Sequence, residues 1–203
     1  MATPPQQARS IATEKKMLDA AEELLRGGDA RQVTVENVTK LSGTRVSSFY
    51  ARFGSVEGLF EAMEDRYRAA VYKATLLRAL EKSIEQKDLK SSLHQAILVT
   101  LEMGHQERRV ISYFVARPSV DQTARVELRT FVVGLMHKIL LHHRGEIPRN
   151  DLQRASENVV RMILAIWTQI VLEEPSEFFG RKTSLSSVID ATTEMSYHYL
   201  THE

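Results

Sequence analysis

Apolar residues recur at three- and four-residue steps through almost the whole of this 203-residue chain, and no run alternates with period two over any length. The first spacing lines one face of a helix, whereas a half-buried strand needs the second, so the expected fold is all-α. Met17, Leu18, Ala21, Leu24 and Leu25 mark helix one, which Gly27 and Gly28 end. Thr34 is a good N-cap for a second helix of about two turns, with Val38 and Leu41 inward, and Ser42-Gly43 breaks it. Thr44 then caps a third helix to about Arg52, with Val46, Phe49 and Phe53 on the inward side. Ser55 caps a long fourth helix expected to reach about Lys82.

Beyond it, Asp88 or Ser91 starts a helix through Met103, and a shorter one follows from about Glu107 to Ala116. Ser119 and Gln122 make a capping-box pattern ahead of an apolar-periodic run to His142. "RGEIPRN" reads as a loop, Asn150 as the cap of a helix ending near Pro175, and Ser184 as the cap of a last helix through Leu200. This divides the chain into residues 1–10, rich in proline and glutamine and expected to lack fixed structure, a compact helical domain over 11–54, and a larger helical domain over 55–203.

Apolar residues make up 43% of the chain and charged residues 26%, the balance of a folded globular protein. The absence of cysteine excludes disulfides and thiolate metal sites. The N-terminus has no apolar core of a signal peptide, and the apolar stretches read as too short and interrupted to span a bilayer, so a cytoplasmic protein with no membrane partner is expected. Residues 1–54 carry eight Lys/Arg against six Asp/Glu, and within 30–54 Arg31, Lys40, Arg45 and Arg52 face only Glu36. That local excess permits a polyanion partner.

Two short helices joined by a glycine turn and supported by a third match a helix-turn-helix, whose second short helix enters the DNA major groove; the same pattern also suits a plain packing hairpin. In "SGTRVSSFYARFGS", Ser47 and Ser48 allow close approach and offer hydroxyls to phosphates or base edges. Arg45 can bond a phosphate or a guanine edge, and Tyr50 and Arg52 can hold phosphates. Thr34, Thr44 and Val46, at the starts of the two helices, complete the expected DNA-contact set.

Over roughly residues 17 to 63 the chain resembles the N-terminal domain of TetR-type transcriptional regulators. The matching features are Ala20-Ala21 and Leu24, Thr34-Val35, Gly43, the aromatic, tyrosine and phenylalanine of "FYARF" from Phe49 to Phe53, and Ser55, Glu57 and Leu59. Departures are Thr39 and Ser42 where alanines are usual, Thr44-Arg45 for Val-Ser, Ser47 for the helix-three glycine, and Val56 for the lysine that helps grip the DNA backbone. The resemblance implies a homodimer that places two recognition helices in successive major grooves of double-stranded DNA. It also implies a C-terminal domain that binds a small-molecule effector, usually with release of repression. The altered residues leave the operator open and admit an alternative, a helical ligand-binding or interaction module that has lost DNA binding.

In the larger domain, the stretch from Val159 to Leu172 is apolar around most of its circumference and needs burial on more than one side. It is either a central core helix of a monomer or the seam of a homodimer, for which Val159, Ile163, Ile166, Ile170, Met195 and Tyr199 are the candidates. Phe114, Phe131, Met136, Met162 and Trp167 lie on helices that could surround an apolar effector, or are plain core. Glu194, His198 and His202 lie four residues apart on one face, but no glutamate follows the first histidine as in zinc proteases, and His142-His143 suit a helix C-terminus. No nucleophile-elbow or glycine-rich phosphate loop occurs. No metal, cofactor or catalytic residue is therefore expected.

Overall fold

The computed structural model of the chain describes residues 5–68, 73–116, 122–173 and 183–202. Among these residues it contains ten α-helices and no strand, and the chain divides into two compact units, Met1–Ala69 and Ala70–Glu203. The expected Ser119–Gln122 capping box and the Pro175 helix end lie at least partly outside the described residues.

In the first unit, α1 spans Pro5–Arg26, α2 Val35–Ser42, α3 Val46–Phe53 and α4 Val56–Arg66, with a 3-10 turn at Ala30–Gln32. Residues 5–10, expected to lack structure, are the opening turns of α1. Pro5 stands at its first position, where a fixed φ and a missing N–H cost little. The buried side of α1, with Met17, Leu18, Ala21 and Leu25, belongs to the core with Val38 of α2 and Phe49 of α3. Polar ties add to this: the Arg66 guanidinium donates to Asp19 at 2.7 Å and to Glu22 at 2.9 Å, joining α4 to α1. Asp19 is held below the ordinary carboxylate range, first by a hydrogen bond from Lys15; burial opposes this, and Arg66 adds to the lowering. The unit includes α4, so its boundary falls beyond the expected residue 54.

The turn between α2 and α3 follows from local chemistry. The Thr34 hydroxyl accepts from the Asn37 N–H at 3.2 Å and caps α2. Gly43 ends it with φ 64°, in the left-handed region that a residue with a Cβ enters only at a cost. Thr39 is buried and bonds its hydroxyl back to the Val35 carbonyl at 2.7 Å, so it fills a position where alanine would serve. Two expectations fail here. Leu41 and Val46 are 47% and 49% exposed, not inward, because the helices are too short to bury more than the side centred on Val38 and Phe49. The cap of α3 is Arg45 rather than Thr44, whose hydroxyl lies 2.7 Å from that of Ser42.

The second unit contains α5 (Ala74–Ile84), α6 (Leu89–Gln106), α7 (Arg108–Ala116), α8 (Gln122–His142), α9 (Leu152–Leu172) and α10 (Leu185–Thr201). The expected single helix from Ser55 to Lys82 is thus represented by α4 and α5, with residues 69–72 between them outside the description. Asp88, Asp151 and Ser184 cap α6, α9 and α10 through their side chains; the α9 cap is one residue after the expected Asn150. One apolar cluster joins α6, α8, α9 and α10 around Leu93, Ile97, Leu140 and Val159; a smaller one joins α5, α6 and α8 around Leu80 and Ile139.

Helix α9 settles inside this unit. Val159, Ile163 and Ile170, expected at a dimer seam, are 0%, 6% and 3% exposed within the single chain, because α6, α7, α8 and α10 all pack on α9. By length and composition alone α9 is long and apolar enough to cross a bilayer, which corrects the expectation that no stretch is. Its packing is that of a core helix. A polar junction ties the ends of three helices: His143 Nε2 lies 2.7 Å from the Ser92 hydroxyl, and His143 Nδ1 lies 3.0 Å from Glu146. Ser92 donates to the Ser83 carbonyl at 2.6 Å and is fully buried, so its proton and position suit cross-linking rather than nucleophilic attack.

Candidate nucleic-acid interface

Along α3, Phe49 is the fully buried anchor, and its ring meets those of Tyr50 (5.7 Å between centroids) and Phe53 (5.3 Å) edge-on. With Phe49 fixed inward, 100° steps turn Ser47 and Ala51 to the far side and Tyr50 to the flank; Val46, only about 60° round from Phe49, lies in the first turn beyond the reach of the core, and all four are exposed. Ser48 sits half-buried at the edge of this face. The outward surface is small and mixed: two hydroxyls, a phenol 53% exposed, and the methyls of Val46 and Ala51. Small residues let the helix approach a groove closely, and exposed methyls can pack on a thymine methyl.

The charges around this face are sorted by pairing. Lys15, Arg26, Arg31, Arg66 and Arg68 each hold an acidic partner within the unit. Arg45 and Lys40 are exposed and, among the described residues, form no ion pair. Arg45 also makes no cap bond to its helix, so its guanidinium is available for phosphate or base edge. Lys40, on the exposed side of α2, is one of the cations of the 30–54 charge excess but was not among the expected DNA contacts.

Not all the expected contacts gather on this face. Arg52 turns away to donate to the Ser48 carbonyl (3.3 Å), the Ser10 carbonyl (2.9 Å) and the Ser10 hydroxyl (3.0 Å). Its guanidinium is thus engaged by α1 in the free protein. Thr34 and Thr44 use their hydroxyls within the turn. Val56 stands at the first position of α4 with Ser55 as cap, so no cation occupies that helix start.

In the second unit, Met136, Met162 and Trp167 belong to the larger apolar cluster, Phe131 packs on the smaller one, and Phe114 is buried on α7. The five candidates are therefore split between two clusters and α7. Trp167 lies against the α6 backbone at Gly104, a close approach that the sequence did not reveal. Among the described residues no group of three or more metal-ligating side chains occurs, His198 and His202 included.

The short glycine-turned pair with an exposed second helix defines a helix-turn-helix unit on an all-helical chain, the layout of TetR-type regulators. Residues 17–63 match the family model described as bacterial regulatory proteins, tetR family. By fold the resemblance extends over the chain. NalD of Pseudomonas aeruginosa, the secondary repressor of the MexAB-OprM multidrug efflux pump, superposes with a TM-score of 0.61 at 16% identity, covering 96% of this chain and 99% of that one. The TetR family transcriptional regulator PfmR from Thermus thermophilus gives 0.62 at 18% identity over 90% and 97%. A protein of unknown function from a Rhodococcus species gives 0.70 at 15% identity over 94% and 96%. No curated protein matches by sequence. The N-terminal unit is thus a TetR-type helix-turn-helix domain, and the chain has the TetR-type fold.

Proposed function

We propose that this protein is a DNA-binding transcriptional regulator that acts as a homodimer in the cytoplasm, most simply as a repressor released from its operator by a small, largely apolar ligand. The observation that supports it best is the exposed face of α3, where Arg45 has no partner in the unit and Tyr50 presents its phenol beside small residues. Arg45, Val46, Ser47, Ser48 and Tyr50 are the contacts we assign to DNA, with Lys40 added; Thr34 and Thr44 shape the turn, their backbone N–H groups donating to the Gln32 and Thr39 carbonyls.

The effector side rests on composition. Phe131, Met162 and Trp167 are only partly buried in the second unit and are the best candidates to touch an apolar ligand, with Phe114 and Met136 behind them. Such a ligand releases DNA only by favouring a state that binds DNA less well, so DNA must reciprocally weaken the ligand. For the homodimer, Ile166 and Tyr199 are partly exposed and Met195 is 50% exposed, so these three remain as candidates on α9 and α10.

A second reading, a helical ligand-binding module without DNA affinity, is favoured by Val56, which leaves the start of α4 without the cation usual in the resembled family. Fluorescence anisotropy with duplex from upstream of the protein's own gene and a scrambled control, across a salt series, separates the two. Selective binding that weakens steeply with salt supports the regulator, because counterion release requires phosphate contacts. Absence of binding by folded, dimeric protein supports the module.

A further inference from the structure

Helix α1 begins twelve residues ahead of the segment that matches the family model, and its opening turns are poorly buried: residues 8–12 are exposed or nearly so, Ile11 at 58%. A free helical end of this kind frays unless something fastens it. The fastening comes from α3. One guanidinium, that of Arg52, reaches both the Ser48 carbonyl at the edge of the outward face and the Ser10 carbonyl and hydroxyl on α1. The start of α1 is therefore held beside the flank of α3 that Ser48 borders.

Two cations of this stretch share one side of the helix, and its one carboxylate, Glu14, lies well round the axis from them. Arg9 and Lys16 are seven residues apart, two full turns, and so share a stripe of α1 about 10 Å long. Both are exposed, and among the described residues neither has an acidic partner. Lys15, between them, is neutralised by Asp19 at 2.8 Å. Within the described part of the first unit, the cations left unpaired are these two together with Lys40 and Arg45. An exposed cationic stripe beside a groove-reading helix is complementary to the phosphates flanking that groove.

We propose that the opening turns of α1 form a second contact with the backbone of the DNA duplex that α3 reads, with Arg9 and Lys16 on phosphates and Arg52 as the positioning residue that holds the turns in place. The contact supplies cations that Val56 does not. It rests on the DNA-binding reading above.

The test is the slope of log affinity against log salt, measured on a random-sequence duplex and on duplex from upstream of the gene. Each phosphate contact contributes about 0.9 to that slope. The double variant Arg9→Gln/Lys16→Gln should lose about 1.8 per bound protomer, equally on both duplexes, with an unchanged circular-dichroism melt. Arg52→Ala should weaken binding, and adding the double variant to it should change the slope little further, since the contact is already lost. A double variant with the wild-type slope overturns the contact, and additive losses overturn the positioning role and make Arg52 a phosphate ligand itself. If the wild-type protein binds neither duplex at any salt, the DNA-binding reading fails first and carries this proposal with it.

Discussion

Gly58 offers the sharpest test of the first unit's construction. It is the third residue of α4, and its N–H donates to the capping hydroxyl of Ser55 at 3.1 Å. Helix propensity alone says that alanine here should stabilise by about 1 kcal/mol. The structure says the opposite, because a Cβ at this position would stand 2.0 Å from the Phe53 carbonyl oxygen, a separation at which real Cβ atoms are not found. The obstacle is backbone, the last residue of α3, so relief requires the α3–α4 junction to move by roughly an ångström. Overpacking costs about 1–3 kcal/mol, and a backbone obstacle belongs at the upper end. Net of the propensity gain, Gly58→Ala should destabilise by about 2 kcal/mol.

That loss is readable by thermal unfolding followed by circular dichroism. If the first unit melts by itself, its midpoint should fall by about 8–16 °C; if the whole chain melts together, by about 4–8 °C. Gly43→Ala is the control. A Cβ there meets nothing within 4 Å, so the substitution carries only the strain of φ 64°, about 1–2 kcal/mol. Gly58→Ala at or above the wild-type midpoint would refute the steric argument. A loss in which Gly43→Ala is the more severe of the two would show that backbone strain, not overlap, governs this domain.

Further outcomes follow from the same geometry. Tyr50→Phe should weaken binding to all duplexes by a similar factor if its hydroxyl holds phosphate, whereas loss confined to one sequence contradicts that role. Arg45→Ala should alter sequence preference in a binding-site selection if Arg45 reads a base edge, and a uniform loss places it on the backbone. Gly104→Ala would put a Cβ 2.5 Å from the Trp167 indole nitrogen, and the rigid ring must shift; we expect a changed emission from the chain's single tryptophan and a loss of about 1–3 kcal/mol. Unaltered emission and stability would show that the indole is not seated there. Asp88 is held below the ordinary carboxylate range, first by the Ser91 backbone N–H, so its contribution is present at neutral pH and is lost as pH falls through its lowered folded value, beneath about pH 4. Asp88→Asn keeps a capping oxygen but cannot titrate, so its stability should fall less than that of the wild type between neutral pH and pH 3; parallel curves would remove Asp88 from the acid response.

What the sequence disclosed depended on the range over which each interaction is decided. The caps at Thr34, Ser55 and Ser184 were legible because a hydroxyl and the N–H three residues on lie within one turn, and no distant residue has to be known. The errors arose where a face had to be assigned. In eight-residue α3, three- and four-residue spacing is met by Val46, Phe49 and Phe53 alike, and only the packing of Phe49 decides that Val46 points out. In α9 the apolar circumference was read correctly as a need for burial on several sides, yet neighbouring helices of the same unit supply that burial, and Val159, Ile163 and Ile170 are left nothing to offer a second copy.

Arg52 shows the same limit at the site itself. Near the outward face of a recognition helix, an arginine is read from sequence as a phosphate ligand, because nothing nearby in the chain competes for it. Its partner is Ser10, 42 residues away. Once that bond is made, the guanidinium is a brace, and the question of which cations meet DNA passes to those with no partner of their own. Charge excess over 30–54 had pointed to Arg31, Lys40, Arg45 and Arg52. Pairing removes Arg31 to Asp29 and Arg52 to α1, and the proposed contact brings in Arg9, from the stretch expected to lack fixed structure, and Lys16, from the start of the helical domain. In the proposed reading the electrostatic footprint is therefore spread over α1, α2 and the start of α3 instead of one short stretch.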